Sequence, residues 1–269
     1  MKLLLFIIGA VIGALVVMAV VIVIAIDGIT ERLIESHVGD SLGVTTTLDN
    51  TSVQLIDGRL DLYQLDIANP EGFESTPWFL RLKEGKGELS FVDLLHKVVE
   101  VERITLEGIE INLEHKGVSS NYGTILDNIK AFQERSDPES RRKFIIHEVV
   151  LRDITVNVSY FPIGGDATRT DLHIPEIILN EVGTSEDGIS NAEIAGVLTT
   201  ALLAAILHEG PKVLPDAILD GLGNGLGALG NIAQYSISIA SQGFDNVGEL
   251  LGSVMESIGG VFSGEKEDE

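Results

Sequence analysis

The chain has 269 residues, 41 acidic against 18 basic, for a formal charge of -23, and it has no cysteine. That acid excess argues against nucleic acid, whose phosphates need clustered Lys and Arg, and against docking by charge on an anionic lipid surface. The missing thiols exclude disulfides, thiol nucleophiles and zinc–thiolate sites, while the length suffices for one sizeable domain plus accessory helices.

Leu3 to Ile26 is an unbroken run of 24 uncharged, mostly apolar residues. At ~1.5 Å rise per residue it covers about 36 Å, enough for a ~30 Å hydrocarbon core. A cleaved signal peptide carries a shorter apolar region, about 7–15 residues, so residues 1–27 read as an uncleaved transmembrane anchor. Lys2 precedes the run, and Asp27 and Glu31 follow it. The positive-inside rule then places the amino terminus in the cytoplasm and the bulk of the chain across the membrane.

Thr30 to Val38 predicts a short helix leaving the membrane, with Gly39 as its stop. Val44 to Leu55 is Thr-rich and predicts a strand pair or one long strand. The block Gly58 to Glu114 follows. It opens Leu60-Asp-Leu62-Tyr-Gln-Leu65-Asp-Ile67, breaks at Asn69-Pro-Glu-Gly72-Phe73 and resumes at Trp78-Phe-Leu80-Arg-Leu82. Ile104-Thr-Leu106-Glu-Gly108-Ile109-Glu-Ile111-Asn-Leu113 repeats the pattern. Apolar and polar residues alternate, as in strands with one greasy and one wet face. Asn-Pro and Glu-Gly are turn chemistry. Ser90 to Lys97 reads as a helical turn, and Glu107, Glu110 and Glu114 as wet-face residues.

Thr124 to Arg135 predicts an amphipathic helix through Ile125, Ile129 and Phe132. Phe144 to Ser159 and Thr168 to Leu179 predict further strands, with Pro175 marking an edge or bulge. Beyond Gly183 the composition changes. Ser190-Asn-Ala-Glu193 is a capping box opening a helix to about His208, which Pro211 and Pro215 end. Ala217 to Phe262 is Gly-rich and apolar at helical spacing, through Ile218, Leu222, Leu226 and Leu229 and then Val247, Leu250, Leu251, Val254 and Ile258. The expected class is α+β: a transmembrane helix (1–27), an antiparallel sheet forming a groove or half-barrel (28–183), and a Gly-rich amphipathic helical region with an acidic tail (184–269).

The six histidines (His37, His96, His115, His147, His173, His208) are scattered, without metal-ligand spacing. Gly225-Leu-Gly227-Ala-Leu-Gly230 matches the dinucleotide-binding letters but lacks the preceding strand and the acidic partner of a βαβ unit. It reads better as small helix positions, Gly221 and Gly225 or Gly223 and Gly227, that let another surface approach closely. No catalytic residue, metal or cofactor is expected.

An anchor and a short helix, then Gly58-Arg-Leu60-x-Leu62-x-x-Leu65-x-Ile67-x-Asn69-Pro70-x-Gly72-Phe73, resemble the start of the AsmA-like family of bacterial envelope proteins. Phe91-Val-Asp-Leu94-Leu95, Val99 to Glu114 and Gly123-x-Ile125-x-x-Asn128-Ile129 fit the same order, so the resemblance covers about residues 1 to 130. It implies a taco-like β-groove whose concave face carries acyl chains, an inner-membrane location, and a role in envelope lipid homeostasis or outer-membrane assembly. The alternation itself supplies such a face from Leu60, Leu62, Leu65, Ile67, Ile104, Leu106, Ile111 and Leu113. About eight strands at ~4.8 Å each would make a groove of only about 40 Å, too short to bridge an envelope alone.

Two functions follow as expectations. In the first, the groove binds or transfers membrane lipid without catalysing a reaction, alone, as a self-associated assembly or with other envelope proteins. In the second, the helices close over the sheet and make an anchored scaffold module; Leu-x-Ile-x-Asn-Pro also resembles the LEA-type β-sandwich over about fifteen residues. No nucleic-acid partner is expected in either.

Overall fold

The computed structural model describes residues 30–54, 58–89, 96–135, 143–183, 188–229, 236–239 and 242–243. The expected anchor, most of the turn after Ser90 and the apolar stretch Val247 to Ile258 lie outside them. Among the described residues, no helix is long and apolar enough to cross a membrane.

Helix α1 covers 30–42. It runs through Gly39 and ends where Gly43, at φ +67°, returns its N–H to Gly39 O at 2.8 Å, the left-handed cap expected of glycine. The strands β1 (Thr46–Gln54), β2 (Arg59–Ala68), β3 (Trp78–Leu89) and β4 (Val98–Lys116) follow, each antiparallel to the last. A short strand β5 (Ser119–Ser120) leads into α2 (Asn121–Arg135). Then come β6 (Lys143–Phe161), β7 (Thr168–Val182), β8 (Ile189–Ser190), α3 (Asn191–Glu209), a 3₁₀ turn (Gly210–Lys212), α4 (Asp216–Gly227), β9 (Ser236–Ile239) and β10 (Gln242–Gly243).

These strands form one sheet with the order β1-β2-β3-β4-β6-β7-β9-β10, β5 pairing with β4 and β8 with β6. The expectation of a wholly antiparallel sheet is corrected at one join. β4 and β6 run parallel from Val98/Lys143 to Lys116/Phe161, because α2 carries the chain back between them. A helical crossover is what a parallel pair requires.

Six strands share a feature that sets the shape of the inner face. Leu48, Leu65, Leu82, Ile109, Ile154 and Ile174 lie opposite one another across β1, β2, β3, β4, β6 and β7, and all are buried. One residue along lies a crease, Asp49–Gln64–Lys83–Gly108–Asp153–Pro175, where the regular pairing lapses. Gln64, Gly108 and Asp153 take positive φ there, at 55°, 72° and 52°. Two successive residues turn to the outer side in each strand, as in Tyr63/Gln64, Lys83/Glu84 and Arg152/Asp153. The in–out phase therefore slips by one. Pro175, without an N–H, sits where no ladder bond is required of it.

The helices pack on the inner face. Val38 and Leu42 of α1, Ile125 and Ile129 of α2, Val197 and Leu202 of α3, and Ile218 and Leu222 of α4 share one apolar cluster with the sheet. The capping box of α3 is present as expected: Ser190 Oγ accepts from Glu193 N–H, and Glu193 Oε2 from Ser190 N–H. Gly221 and Gly225 admit α2 at close range, for a methyl on either would lie 2.5 Å from Tyr122 Oη or 2.6 Å from Leu126 Cδ1. Of the two small-residue pairs, Gly221 and Gly225 thus form a helix–helix contact, while a methyl on Gly227 would meet nothing within 4 Å.

The outer face carries ion pairs: Arg81 with Asp66 at 2.9 Å, Arg152 with Glu176 at 2.7 Å, and Arg103 with Glu148. Hydrogen bonding to Asp66 raises the Arg81 pKa further above its ordinary value. Arg81 also stacks 3.5 Å over the Trp78 ring.

Candidate functional site

The crease divides the eight residues expected to line a groove into two groups. Leu65, Ile67, Ile111 and Leu113 lie on one side of it, all buried beneath the helices at 8% exposure or less. They are closed core, and an open groove does not extend over them. Leu60, Leu62, Ile104 and Leu106 lie on the other side and are half-buried.

That second group frames a trough. Leu62, Gly85 and Leu106 are opposite one another, as are Leu60, Gly87 and Ile104. The middle strand therefore contributes two glycines to the floor while leucines and isoleucine rise from the strands on either side. At ~4.8 Å per strand spacing the two wall strands lie about 10 Å apart. The trough is narrowest at Gly85, where a Cβ would lie 2.7 Å from Leu62 Cδ1, and wider at Gly87, where the nearest atom, Leu60 Cβ, would be 3.7 Å away. Sequence reading missed the two glycines. The available signal was their i, i+2 placement within a strand, which marks a close approach.

Next to the trough lies an apolar slot of about 100 Å³ between the sheet and helices α1 and α3, lined by Leu42, Leu65, Leu82, Leu106, Leu198 and Leu202 among others.

A buried polar cluster fixes the far end of the sheet. Asn121 is wholly buried. Its Oδ1 accepts from Glu114 N–H at 2.9 Å and Tyr122 N–H at 2.8 Å, and its Nδ2 donates to Asn69 Oδ1 at 2.8 Å and Asn112 O at 2.7 Å. Glu114, expected on the wet face, is instead 1% exposed. It accepts from Ser75 N–H at 3.2 Å and from Ser75 Oγ, and it pairs with Lys116 at 2.5 Å. Lys116 also donates to Gly72 O at 3.0 Å. The Asn69-Pro-Glu-Gly72-Phe73 turn is therefore tied to β4 by hydrogen bonds and an ion pair. Pairing makes a buried carboxylate tolerable.

His115 Nδ1 lies 2.7 Å from Tyr122 Oη and Nε2 lies 3.2 Å from Gly117 O. A proton on Nε2 satisfies both contacts, the tyrosine donating. Burial raises the Tyr122 pKa well above its ordinary value, a nearby hydrogen bond from Ser120 opposing and Asp220 reinforcing the shift. His147 lies between Glu100 and Glu181 on the surface. Among the described residues, no group of three side chains is placed to hold a metal ion.

No family model matches the chain, and no curated protein matches it.

Proposed function

We propose that the chain is a membrane-anchored envelope protein that binds lipid non-enzymatically, an acyl chain lying in the trough formed by Leu60, Leu62, Gly85, Gly87, Ile104 and Leu106. One observation carries the reading: four apolar side chains stand half-buried around two glycines. The floor stays open over Gly87, while over Gly85 the two leucines meet and close one end of it. Six methylenes leaving water there would contribute about 5 kcal/mol, at ~0.8 each. The apolar run 3–26 would hold the protein in the inner membrane with its amino terminus in the cytoplasm. The AsmA-like resemblance of the first 130 residues supports the same reading, with lipid homeostasis or outer-membrane assembly as its setting.

A second reading is favoured by the burial of Leu65, Ile67, Ile111 and Leu113. On it the whole inner face is structural and the protein is a scaffold for other envelope proteins. Native mass spectrometry of the full chain released from mild detergent separates the two. Stoichiometric phospholipid that is lost in Leu62→Asp/Leu106→Asp, with the fold intact, supports lipid binding. A folded, lipid-free protein leaves the scaffold.

A further inference from the structure

We propose that the adjoining turns at residues 117–118 and 162–167 dip into the membrane surface, seating Val118 and Ile163 at the head-group level of a zwitterionic bilayer. The inference rests on the anchored, lipid-binding reading and deepens it by naming the end of the sheet that meets the membrane. Val118 is 90% exposed and Ile163 83%, whereas the other exposed large apolar residues among those described, Leu33, Tyr63 and Val213, are at 50% or less. Turn positions ordinarily take Gly, Pro, Asn, Asp or Ser. Single exposed apolar side chains need no explanation, but two at the tips of touching turns make a patch of the kind that meets a membrane or a partner.

The backbone holds both tips out. Lys116 and Phe161 lie opposite one another at the ends of the parallel strands β4 and β6, so the turns stand one strand spacing apart, about 4.8 Å. Gly117 takes φ +61° as the first central residue of a two-residue hairpin between Lys116 and Ser119, which leaves Val118 at the apex. Gly117 N–H donates to Phe161 O at 3.0 Å, and a methyl on Gly117 would stand 3.2 Å from Ile163 Cγ1. The turns therefore touch. Behind them Lys116 Nζ lies 5.7 Å from the Phe73 ring and 5.9 Å from the Phe161 ring. A lysine with an apolar stem and a wet ammonium, set among aromatic rings, suits the head-group layer. The one charge in either turn, Asp166, is exposed and can stay in water.

Chain geometry brings this end of the sheet to the membrane. Lys116 Nζ donates to Gly72 O at 3.0 Å, tying the tips to the 69–73 turn. Pro70 and Glu71 of that turn line one cleft with Arg32 of α1. Arg32 is six residues past Ile26, the end of the apolar run, so even a fully extended link spans no more than about 20 Å. Under the anchor reading, the start of α1, the 69–73 turn and the two tips all belong to the end that faces the bilayer. The net charge of -23 opposes anionic lipid, so the contact is made by apolar insertion into a zwitterionic surface.

A chain without cysteine accepts a single nitroxide label at a chosen site. The full chain in phosphatidylcholine nanodiscs would carry it at Val118→Cys, at Ile163→Cys or, at the opposite end of β3, at the exposed position Glu88→Cys. Electron paramagnetic resonance then compares collision with oxygen, which concentrates in lipid, against collision with a water-soluble nickel chelate. The oxygen-to-nickel ratio is expected to be severalfold higher at 118 and 163 than at 88. In Val118→Asp/Ile163→Asp, read from a label at Ser119→Cys, it should fall to the value at 88. Tips open to nickel would overturn the proposal. So would shielding from both reagents, which marks a protein contact, or an unchanged ratio in the aspartate variant. Lipid retained in native mass spectrometry while the tips stay in water leaves the trough standing and removes this contact. Tips in lipid with no lipid retained keep the contact and remove the trough. A chain that does not co-elute with the nanodisc overturns the anchor and the contact together.

Discussion

Leu62 on β2 and Leu106 on β4, two strands apart, converge over Gly85, on which a methyl would lie 2.7 Å from one leucine and 3.0 Å from the other. The relationship makes the two leucines the walls of the trough and tests its depth. Leu62→Asp/Leu106→Asp places carboxylates at half-buried positions where they can reach water, and should leave a folded protein with stability lowered by about 1–3 kcal/mol. Leu65→Asp/Ile111→Asp buries two unpaired charges, at a cost comparable to the ~5–15 kcal/mol that holds a whole domain. The expected result is a cooperative melt by circular dichroism for the first pair and none for the second.

Gly221 and Gly225 face different neighbours, and alanine should report the difference. At Gly225 the intruding atom is a leucine methyl, which can rotate away. At Gly221 it is the Tyr122 hydroxyl, held by His115 at 2.7 Å. Replacing glycine by alanine in a helix interior gains about 1 kcal/mol. Gly225→Ala should therefore be near neutral in urea denaturation, and Gly221→Ala destabilising by about 1–2 kcal/mol, since overpacking costs about 1–3.

Asn121 uses both side-chain ends on four partners. Asn121→Ala leaves buried groups on Asn69, Asn112 and Glu114 unsatisfied, and a loss of about 3 kcal/mol is expected. Hydrogen exchange at Gly72 to Ser75 should rise in the same variant, because the turn then loses the side-chain bond from Asn121 to Asn69. Unchanged protection there would show that the tie runs through Glu114 and Lys116 instead.

Tyr122 gives the chain a specific alkaline limit. Its folded-state pKa is raised by burial from the ordinary 10.0, so the folded protein holds that proton more tightly than the unfolded chain does. The associated stability is whole below pH 10 and falls as pH rises above it, by up to ~1.4 kcal/mol per pH unit. Tyr122→Phe should be less stable at pH 8, having lost the bond to His115, and should show a shallower decline from pH 10 upward in a urea series.

Much of the fold was legible because its signals are local. The capping box at Ser190, the apolar stripe Ile218/Leu222/Leu226, and the strands around Leu60 and Ile104 each follow from residues a few positions apart. The parallel join of β4 to β6 was not legible as read, since Val98 to Lys116 and Lys143 to Phe161 alternate as antiparallel strands would. Only the intervening helix distinguishes them. Glu114 misled for a related reason: alternation placed it on the wet side, and the Ser75 turn that covers it is remote in sequence. Leu60-x-Leu62-x-x-Leu65-x-Ile67 contained the crease as a three-residue step. Leu151 to Ile154 and Ile174 to Ile177 repeat that step. Strict period two would have put Leu62 and Leu65 on opposite faces, and only the positive φ of Gln64 reconciles them.

The crease also acts as an alignment mark. In an evenly pleated sheet, sliding one strand by two residues leaves every side chain on its proper face, so such slips cost little beyond the ends. Here a two-residue slip of β3 would set Gly85 beside Gln64 and pleated backbone beside Gly108, putting apolar residues outward over part of its length. A long sheet of similar Leu- and Ile-rich strands could pair in several ways, and one displaced line of residues leaves it a single alignment.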